Sequence, residues 1–502
     1  RRPAVTAARG NDDIVTTLER IAGDLPVECE ARIIGEPGHR VGAITHDSRI
    51  VAPGMAFACL RGDHHDGHEH AQEAVAKGAT SLIVDHEVAI DGVTIDGVTI
   101  DGVAQLVVRD VRGCLGWMAS TVSGTPSASI PIVGITGTNG KTTTSHLLAS
   151  ILEAAGRPTG VIGTLSGART TPEAPELQDR LAGFVAGGKA AVVMEVSSHA
   201  LQLHRVDGTT FALAVFTNLG EDHLDLHGSM EGYFRAKFRL FEAERTTVGV
   251  VNVDDLYGRL LADAAEIDIV PFSRADASGV VVEAGRLQLT WRDSVLVVPI
   301  GGDFNVMNVL AAATAADVLG IERDAIAAGL AAVAPVPGRF QRVDSPVGLD
   351  VIVDYAHTPE GLESLLAAAR SLARAHEGGR VIAVFGCGGD RDTQKRPHMG
   401  AVAAARSDVT IVTSDNPRHE EPLAIIDAIV HGVDPTGRQR LIIEPDRAAA
   451  IKLAVDEARP GDVVVIAGKG HETTQTIGDR ELPFDDRLVA AKAMAVQAER
   501  FR

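Results

Sequence analysis

The sequence is poor in the residues that mark several special classes of protein. Its four cysteines, Cys29, Cys59, Cys114 and Cys387, are scattered over 502 residues. They form no CxxC pair and no disulfide-like rhythm, which argues against a disulfide scaffold or a zinc ribbon and fits a reducing compartment. Basic residues are outnumbered, 47 Lys and Arg against 67 Asp and Glu, for a formal charge of -20. With no dense Lys/Arg stripe, that balance argues against a nucleic-acid partner. No apolar run approaches the length of a membrane span, and the first residues lack the order of a signal peptide, so a cytoplasmic location is expected. The chain opens at Arg1 rather than Met, which reads as a few residues lost either to processing or in the making of the chain. At this length about two to four domains are expected.

The most informative stretch runs from Ile130 to Ala155, IPIVGITGTNGKTTTSHLLASILEAA. A β-branched run leads into a small polar loop, and Leu147, Leu148, Ile151, Leu152 and Ala155 follow at helical spacing. Two glycines, Gly137 and Gly140, let the loop fold tightly with its N–H groups inward, at the positive end of the next helix. Lys141 adds a mobile cation for the outer phosphates, and the Thr142 hydroxyl suits the Mg²⁺ that accompanies a nucleotide. The position five before Gly140, where the general pattern has its first glycine, holds Ile135. Because strand and helix both flank the loop, it reads as an ATP-binding loop.

Taken in order, residues 1–126 alternate short apolar and helix-like runs, as a small α/β domain does. Ser48 sits in a polar turn between two strand-like runs. The cluster HHDGHEH, His64 to His70, reads as a solvated loop, and the IDGVT repeat between Ile90 and Val103 as a duplicated turn or hairpin. A small, polar linker leads into residues 127–337, where strand-like and helix-like segments alternate as in a mostly parallel sheet. There MEVSSH puts Glu195 at a strand end, and TNLGEDHLDLHG does the same for Glu221, Asp222, His223 and Asp225. Ligands bind outside the carboxyl ends of such strands, so these motifs are expected around the phosphate loop. Residues 338–502 repeat the pattern in LDVIVDYAHTP, RVIAVFGCGGDRD, SDVTIVTSDNPR and GDVVVIAGKGHE, a second doubly wound, Rossmann-like sheet. The fold class is therefore α/β with three domains.

The chemistry follows from residue type. Glu195 and His223 offer oxygen and imidazole ligands for one or two Mg²⁺ ions. Lys237, on a helix-like segment, reads by itself as an exposed charge or a salt-bridge partner. NVDD, Asn252 to Asp255, lacks the lysine of a guanine-reading motif, which favours an adenine nucleotide. Asp354 and His357 can position phosphate or metal, Arg391 and Arg418 are planar cations suited to bidentate carboxylate capture, and Glu472 can answer a substrate amine. ATP, Mg²⁺, an acidic acceptor and an amine-bearing carboxylate add up to amide formation through an activated carboxylate.

Together TGTNGKTTT, MEVSSHAL, TNLGEDHLDLHG, AKFRLF, NVDD, VDYAHTP, GCGGDRD, SDNPR and GKGHE resemble the Mur ligases, ATP-dependent amide-forming enzymes of peptidoglycan precursor synthesis, over nearly the whole chain. The resemblance implies that Thr138, Asn139, Gly140, Lys141, Thr142, Thr143 and Thr144 hold ATP, joined by Asn308, Arg339, Asp354 and His357. It implies Mg²⁺ on Thr142 and Glu195, a second metal position on His223, and a CO₂-derived carbamate on Lys237 that does metal work an ammonium cannot. Ser48, His65, Asp66 and Gly67 would meet the uridine end of UDP-N-acetylmuramoyl-dipeptide, and Thr170, Thr171, Ser197 and Arg205 its muramoyl dipeptide. Arg391, Asp415, Asn416, Pro417, Arg418, Gly468 and Glu472 would bind meso-diaminopimelate, with Arg418 on the distal carboxylate. A lysine substrate would be repelled there. The reaction implied is attack of the diamino acid on an acyl phosphate of D-glutamate, by a monomer. The alternatives are the same reaction with L-lysine, a folylpolyglutamate synthetase-like ligase, a phosphate-loop switch that makes no bond, and a purely structural protein.

Overall fold

A computed structural model describes residues 16–62, 65–90, 93–95, 98–100 and 103–500. His64 of the His-rich cluster, with Asp63 before it, lies outside the described residues. The chain forms two compact units, one of residues 1–134, 158–214 and 239–247, the other of 135–157, 215–238 and 248–502.

In the first unit a five-stranded sheet runs in the order Arg32–Ile34, Ala104–Val107, Ser81–Val84, Met55–Ala58, Ala43–Thr45. Its first pair is antiparallel and the rest are parallel. Alternate residues serve opposite faces: Ala56, Ala58, Ile83 and Leu106 enter one apolar cluster, Phe57, Leu82, Val84 and Val107 the other. Ser48 lies between the last two strands in chain order before Ala58, as its polar turn suggested. Within the IDGVT repeat, Val93–Ile95 pairs antiparallel with Val98–Ile100, and its Asp–Gly positions lie outside the described residues. Cys29 and Cys114, 85 positions apart, form a disulfide. Linear spacing held no sign of that bond, because it is made by the packing of a short turn, Val27–Cys29, and the helix Val111–Val122 in one apolar cluster.

A six-stranded sheet has the order Thr159–Ile162, Ala191–Glu195, Ile132–Thr136, Leu213–Phe216, Val248–Asn252, Asp268–Phe272. The pairs Thr159–Ile162 with Ala191–Glu195, and Val248–Asn252 with Asp268–Phe272, run parallel.

In the second unit another six-stranded sheet has the order Gln341–Val343, Asp350–Asp354, Val463–Ala467, Val381–Phe385, Val409–Val412, Leu441–Ile443, antiparallel only at the first pair. Ile352, Ala383, Phe385, Val463 and Val465 pack on one face, Val351, Val353, Ile382, Val384, Val464 and Ile466 on the other. Near-continuous Val/Ile runs are what a sheet buried on both faces requires. The loops YAHTP, GKGHE, GCGGDRD and TSDNPR therefore leave the carboxyl ends of neighbouring parallel strands.

Candidate functional site

In the second unit the phosphate loop precedes the helix Lys141–Ala154, whose Leu147, Leu148, Ile151 and Leu152 are fully buried. The loop depends on its two glycines. Gly137 has φ +147° and a Cβ there would sit 1.9 Å from Thr217 Oγ1; Gly140 has φ +88° and a Cβ would meet Asn308 Oδ1 at 2.3 Å. The TNLG turn backs the loop: Asn139 N–H donates to Asn218 Oδ1 at 2.9 Å, and Thr138 N–H to the Asn218 carbonyl at 2.9 Å. Thr138 Oγ1 also lies 3.1 Å from the Tyr233 hydroxyl. Lys141 Nζ donates to the carbonyls of Gly137 at 2.7 Å and Thr138 at 2.9 Å. Asn308, buried on the helix Asn305–Val318, accepts from Thr144 Oγ1 at 3.4 Å. Thr143 and Thr144 are buried in the helix's first turn. Arg339 Nη2 donates to Thr142 Oγ1 at 3.2 Å while its guanidinium lies 4.4 Å over the Tyr355 ring, so Asn308 and Arg339 do meet this loop.

Lys237 corrects the exposed-charge reading. It is 1% exposed on the helix Met230–Phe238, on the same face as Tyr233 one turn earlier, with Nζ 4.6 Å from the Tyr233 ring and donating to the Gly137 carbonyl at 2.9 Å. Burial, reinforced by the charge of Lys141, holds its pKa well below the usual lysine value. A neutral amine is a nucleophile toward CO₂, so the carbamate implied by the motif suits this position. Within this unit the Thr142 hydroxyl, the His223 imidazole and a carbamate on Lys237 would be donors whose chemistry fits Mg²⁺.

His223 takes a left-handed φ of +53° at the start of the short helix Leu224–His227, with Nε2 3.4 Å from Asp222 Oδ2. Burial opposes ionisation of Asp222, but His223, His357, Lys395 and Lys141 together keep its carboxyl below the usual range. His357 Nδ1 bonds the Tyr355 carbonyl at 2.8 Å, and burial, then Lys395, lowers its pKa, leaving Nε2 as an acceptor. Asp354 lies at the end of its strand, beside Arg339. Its oxygens accept the Phe340 N–H at 2.6 Å and the Ala356 N–H at 2.8 Å, so it braces the left-handed Phe340 (φ +43°) beside Arg339.

The diamino-acid residues gather on the second sheet's loops. Asn416 Nδ2 donates to Glu472 Oε2 at 2.8 Å. Asp415 is buried, with Oδ2 2.5 Å from where a Gly468 Cβ would stand. Burial pushes its pKa up. Arg418 has φ +50°; its backbone pairs with the hairpin Thr474–Ile477 and Arg480–Pro483, and its Nη1 donates to the Gly389 carbonyl at 2.6 Å. The Pro417 carbonyl packs against Gly389, and Arg391 is exposed beyond the same loop.

In the first unit Glu195 ends its strand, 1% exposed, and both carboxylate oxygens are held by Thr164, whose N–H donates at 2.9 Å and Oγ1 at 3.1 Å. Thr164 was missed from sequence; its signal was the strand-to-turn run GVIGT, Gly160 to Thr164, that it ends. Thr170 Oγ1 is 3.0 Å from Thr164 Oγ1, and Thr171 Oγ1 links the Glu195 carbonyl at 2.9 Å with Ser197 at 3.4 Å. Arg205 pairs with Glu173 at 2.8 Å. Ser48 offers its carbonyl to Lys77 Nζ at 2.8 Å, and His65 its carbonyl to Gly62 N–H at 2.9 Å. Gly67 leaves no room for a Cβ, which would meet Leu60 N at 2.7 Å. The solvated-loop reading of the His cluster is corrected at His68, which is packed on His86 with Nδ1 2.6 Å from Asp66. His68, Asp85 and His86 bring ligand atoms within 4.8 Å of one another, but Arg61 already pairs with Asp85 at 2.9 Å.

A glycine-dependent phosphate loop, a buried lysine against it and a second sheet edge bearing arginine and carboxylate define a nucleotide-dependent ligase. The Mur ligase family, catalytic domain, matches residues 40–121; the Mur ligase middle domain matches 135–316; the Mur ligase glutamate ligase domain matches 338–470. UDP-N-acetylmuramoyl-L-alanyl-D-glutamate–2,6-diaminopimelate ligase of Syntrophomonas wolfei is 41% identical over 92% of this chain and 96% of its own length. The enzyme of the same description from Streptomyces avermitilis is 42% identical over 95% and 96%. A solved structure so described superposes with a TM-score of 0.63 at 32% identity, covering 96% of this chain and 99% of that one. This chain belongs to the Mur ligase family. No helix among the described residues is long and apolar enough to cross a membrane.

Proposed function

We propose that this protein joins meso-diaminopimelate to the D-glutamate carboxylate of UDP-N-acetylmuramoyl-L-alanyl-D-glutamate at the expense of ATP, within a three-domain chain divided at 126/127 and 337/338. The observation that carries the reading is the similarity to ligases so described, over 92% and 95% of this chain. ATP lies on the loop from Thr138 to Thr144, with Lys141 at its outer phosphates and Asn308 and Arg339 alongside. The substrate carboxylate attacks the γ-phosphorus, ADP leaves, and an acyl phosphate remains. The amine of the diamino acid then attacks the acyl carbon; the C–O bond to phosphate breaks, phosphate departs, and the amine loses a proton. Backbone amides and cations fixed before the charge develops stabilise both steps.

Mg²⁺, held by Thr142, Glu195, His223 and carbamylated Lys237, would neutralise charge on the phosphates and the acceptor carboxylate. The carbamate arises when Lys237 Nζ adds to CO₂ and gives up a proton. Ser48, His65, Asp66 and Gly67 take the uridine end of the acceptor, and Thr170, Thr171, Ser197 and Arg205 its dipeptide. Arg418 pairs with the distal carboxylate of diaminopimelate, with Arg391, Asn416, Gly468 and Glu472 around it. An arginine at this position disfavours L-lysine.

The test is phosphate release from ATP with UDP-N-acetylmuramoyl-L-alanyl-D-glutamate, comparing meso-diaminopimelate with L-lysine. Turnover with diaminopimelate alone is expected. A preference for lysine would keep the ligase and overturn the role of Arg418, and a lack of amine-dependent turnover would overturn the reaction.

A further inference from the structure

Lys469, in the GKGHE turn, is fully buried, yet nothing in the reaction above uses it. Its Nζ donates to Asn416 Oδ1 at 2.9 Å and to Glu472 Oε2 at 2.8 Å. Asn416 Oδ1 also accepts the Thr476 N–H at 3.0 Å. An ammonium and an N–H can only donate, so these two bonds fix which end of the Asn416 amide is oxygen. The amide nitrogen is thereby turned to Glu472 Oε2. Both bonds to Glu472 fall on Oε2, which leaves Oε1 of this part-exposed carboxylate for a substrate amine.

The neighbouring buried cation behaves differently. Arg447 has its own buried counter-ion in Asp486, with N–O distances of 2.8 Å, and spends a further donor on the Ala467 carbonyl at 2.9 Å. That pair is complete without substrate. The carboxylate that Lys469 bonds instead belongs to the turn that meets the amino acid.

We propose that Lys469 is a positioning residue for the diamino acid: it holds Glu472 ionised and Asn416 unflipped, so that Glu472 Oε1 receives the substrate ammonium. The proposal rests on the reading that Glu472 meets that amine. Burial opposes ionisation of Glu472, but Lys469, by charge and hydrogen bond, and Asn416 keep its pKa below the usual value. Asp415, Arg447, His471 and Tyr355 also face it.

The experiment measures KM for meso-diaminopimelate and for ATP, with the pH profile of kcat/KM, in the full-length enzyme and in Lys469→Met, Glu472→Gln and the double variant. Lys469→Met is expected to raise KM for diaminopimelate roughly tenfold to a hundredfold, the size of a charged hydrogen bond, with KM for ATP unchanged. The acid limb of its profile should move to higher pH, because Glu472 loses the cation that keeps it ionised. The double variant removes both charges and so avoids an unpaired buried carboxylate, which keeps a folded protein to measure if the single variant does not fold. It should bind diaminopimelate no worse than Glu472→Gln. A double variant whose loss is the product of the two single losses would overturn the proposal, as would a Lys469→Met enzyme with unchanged KM and pH profile. If Glu472→Gln itself left KM for diaminopimelate unchanged, the assignment of Glu472 would fall first and the role of Lys469 with it.

Discussion

Thr164 holds both carboxylate oxygens of Glu195, one through its backbone N–H at 2.9 Å and the other through its hydroxyl at 3.1 Å. The carboxylate proposed to meet Mg²⁺ is thus oriented by a residue 31 positions away in the chain. Thr164→Val keeps the shape and the N–H but deletes the hydroxyl. It should raise the Mg²⁺ concentration for half-maximal turnover by roughly tenfold to a hundredfold, the usual consequence of losing a partner that orients a metal ligand. A Mg²⁺ titration of phosphate release checks this, with circular dichroism to show the fold intact.

Lys237 should behave as a neutral amine that CO₂ converts to an anion. Its folded pKa is depressed by burial, so the reactive free base persists to lower pH than on an exposed lysine and is lost as pH falls through that lowered value. Enzyme stripped of CO₂ should lose activity and regain it on addition of bicarbonate. Lys237→Ala should lower kcat by roughly 10²-fold or more, as loss of a charge-stabilising group does, and should not respond to bicarbonate.

Arg418 is held by its backbone to the hairpin and by Nη1 to the Gly389 carbonyl. Arg418→Ala should lower kcat/KM for meso-diaminopimelate by about 10-fold to 150-fold, equivalent to about 1.5–3 kcal/mol for a charged hydrogen bond. KM for ATP should be unaffected. Steady-state kinetics with each substrate varied in turn decides it.

Asp207 provides a stability test in the first unit. It lies 2.9 Å from Arg245 and 2.8 Å from His204 Nδ1. Burial opposes its ionisation, but the two partners prevail and its folded pKa is depressed. The unfolded state therefore binds more protons between the folded and ordinary values, so stability rises with pH across that window. The contribution is complete above the ordinary carboxylate range and disappears as pH falls through the folded value. Asp207→Asn should cost about 3–5 kcal/mol at neutral pH, as breaking a buried pair does, and should flatten the acid slope. Urea denaturation at a series of pH values measures both.

Much of the chemistry was legible because it is local. A phosphate loop needs strand, glycines, lysine and helix within some two dozen residues, and Ile130 to Ala155 carries all of them in order. The second sheet was equally readable, since four Val/Ile runs each end in a polar or glycine-rich turn, and parallel pairing brings those turns to one edge. Local pattern settled which side chains could act and which strand end each belongs to. Tertiary packing decided their state. It buried Lys237 and so lowered its pKa, gave Glu195 its partner in Thr164, and set Asp354 against the Phe340 and Ala356 amides. It also joined Cys29 to Cys114 and set Lys469 beneath Asn416 and Glu472. Each of these depends on desolvation or on a partner brought close by the fold, and neither quantity is carried by the order of neighbouring residues.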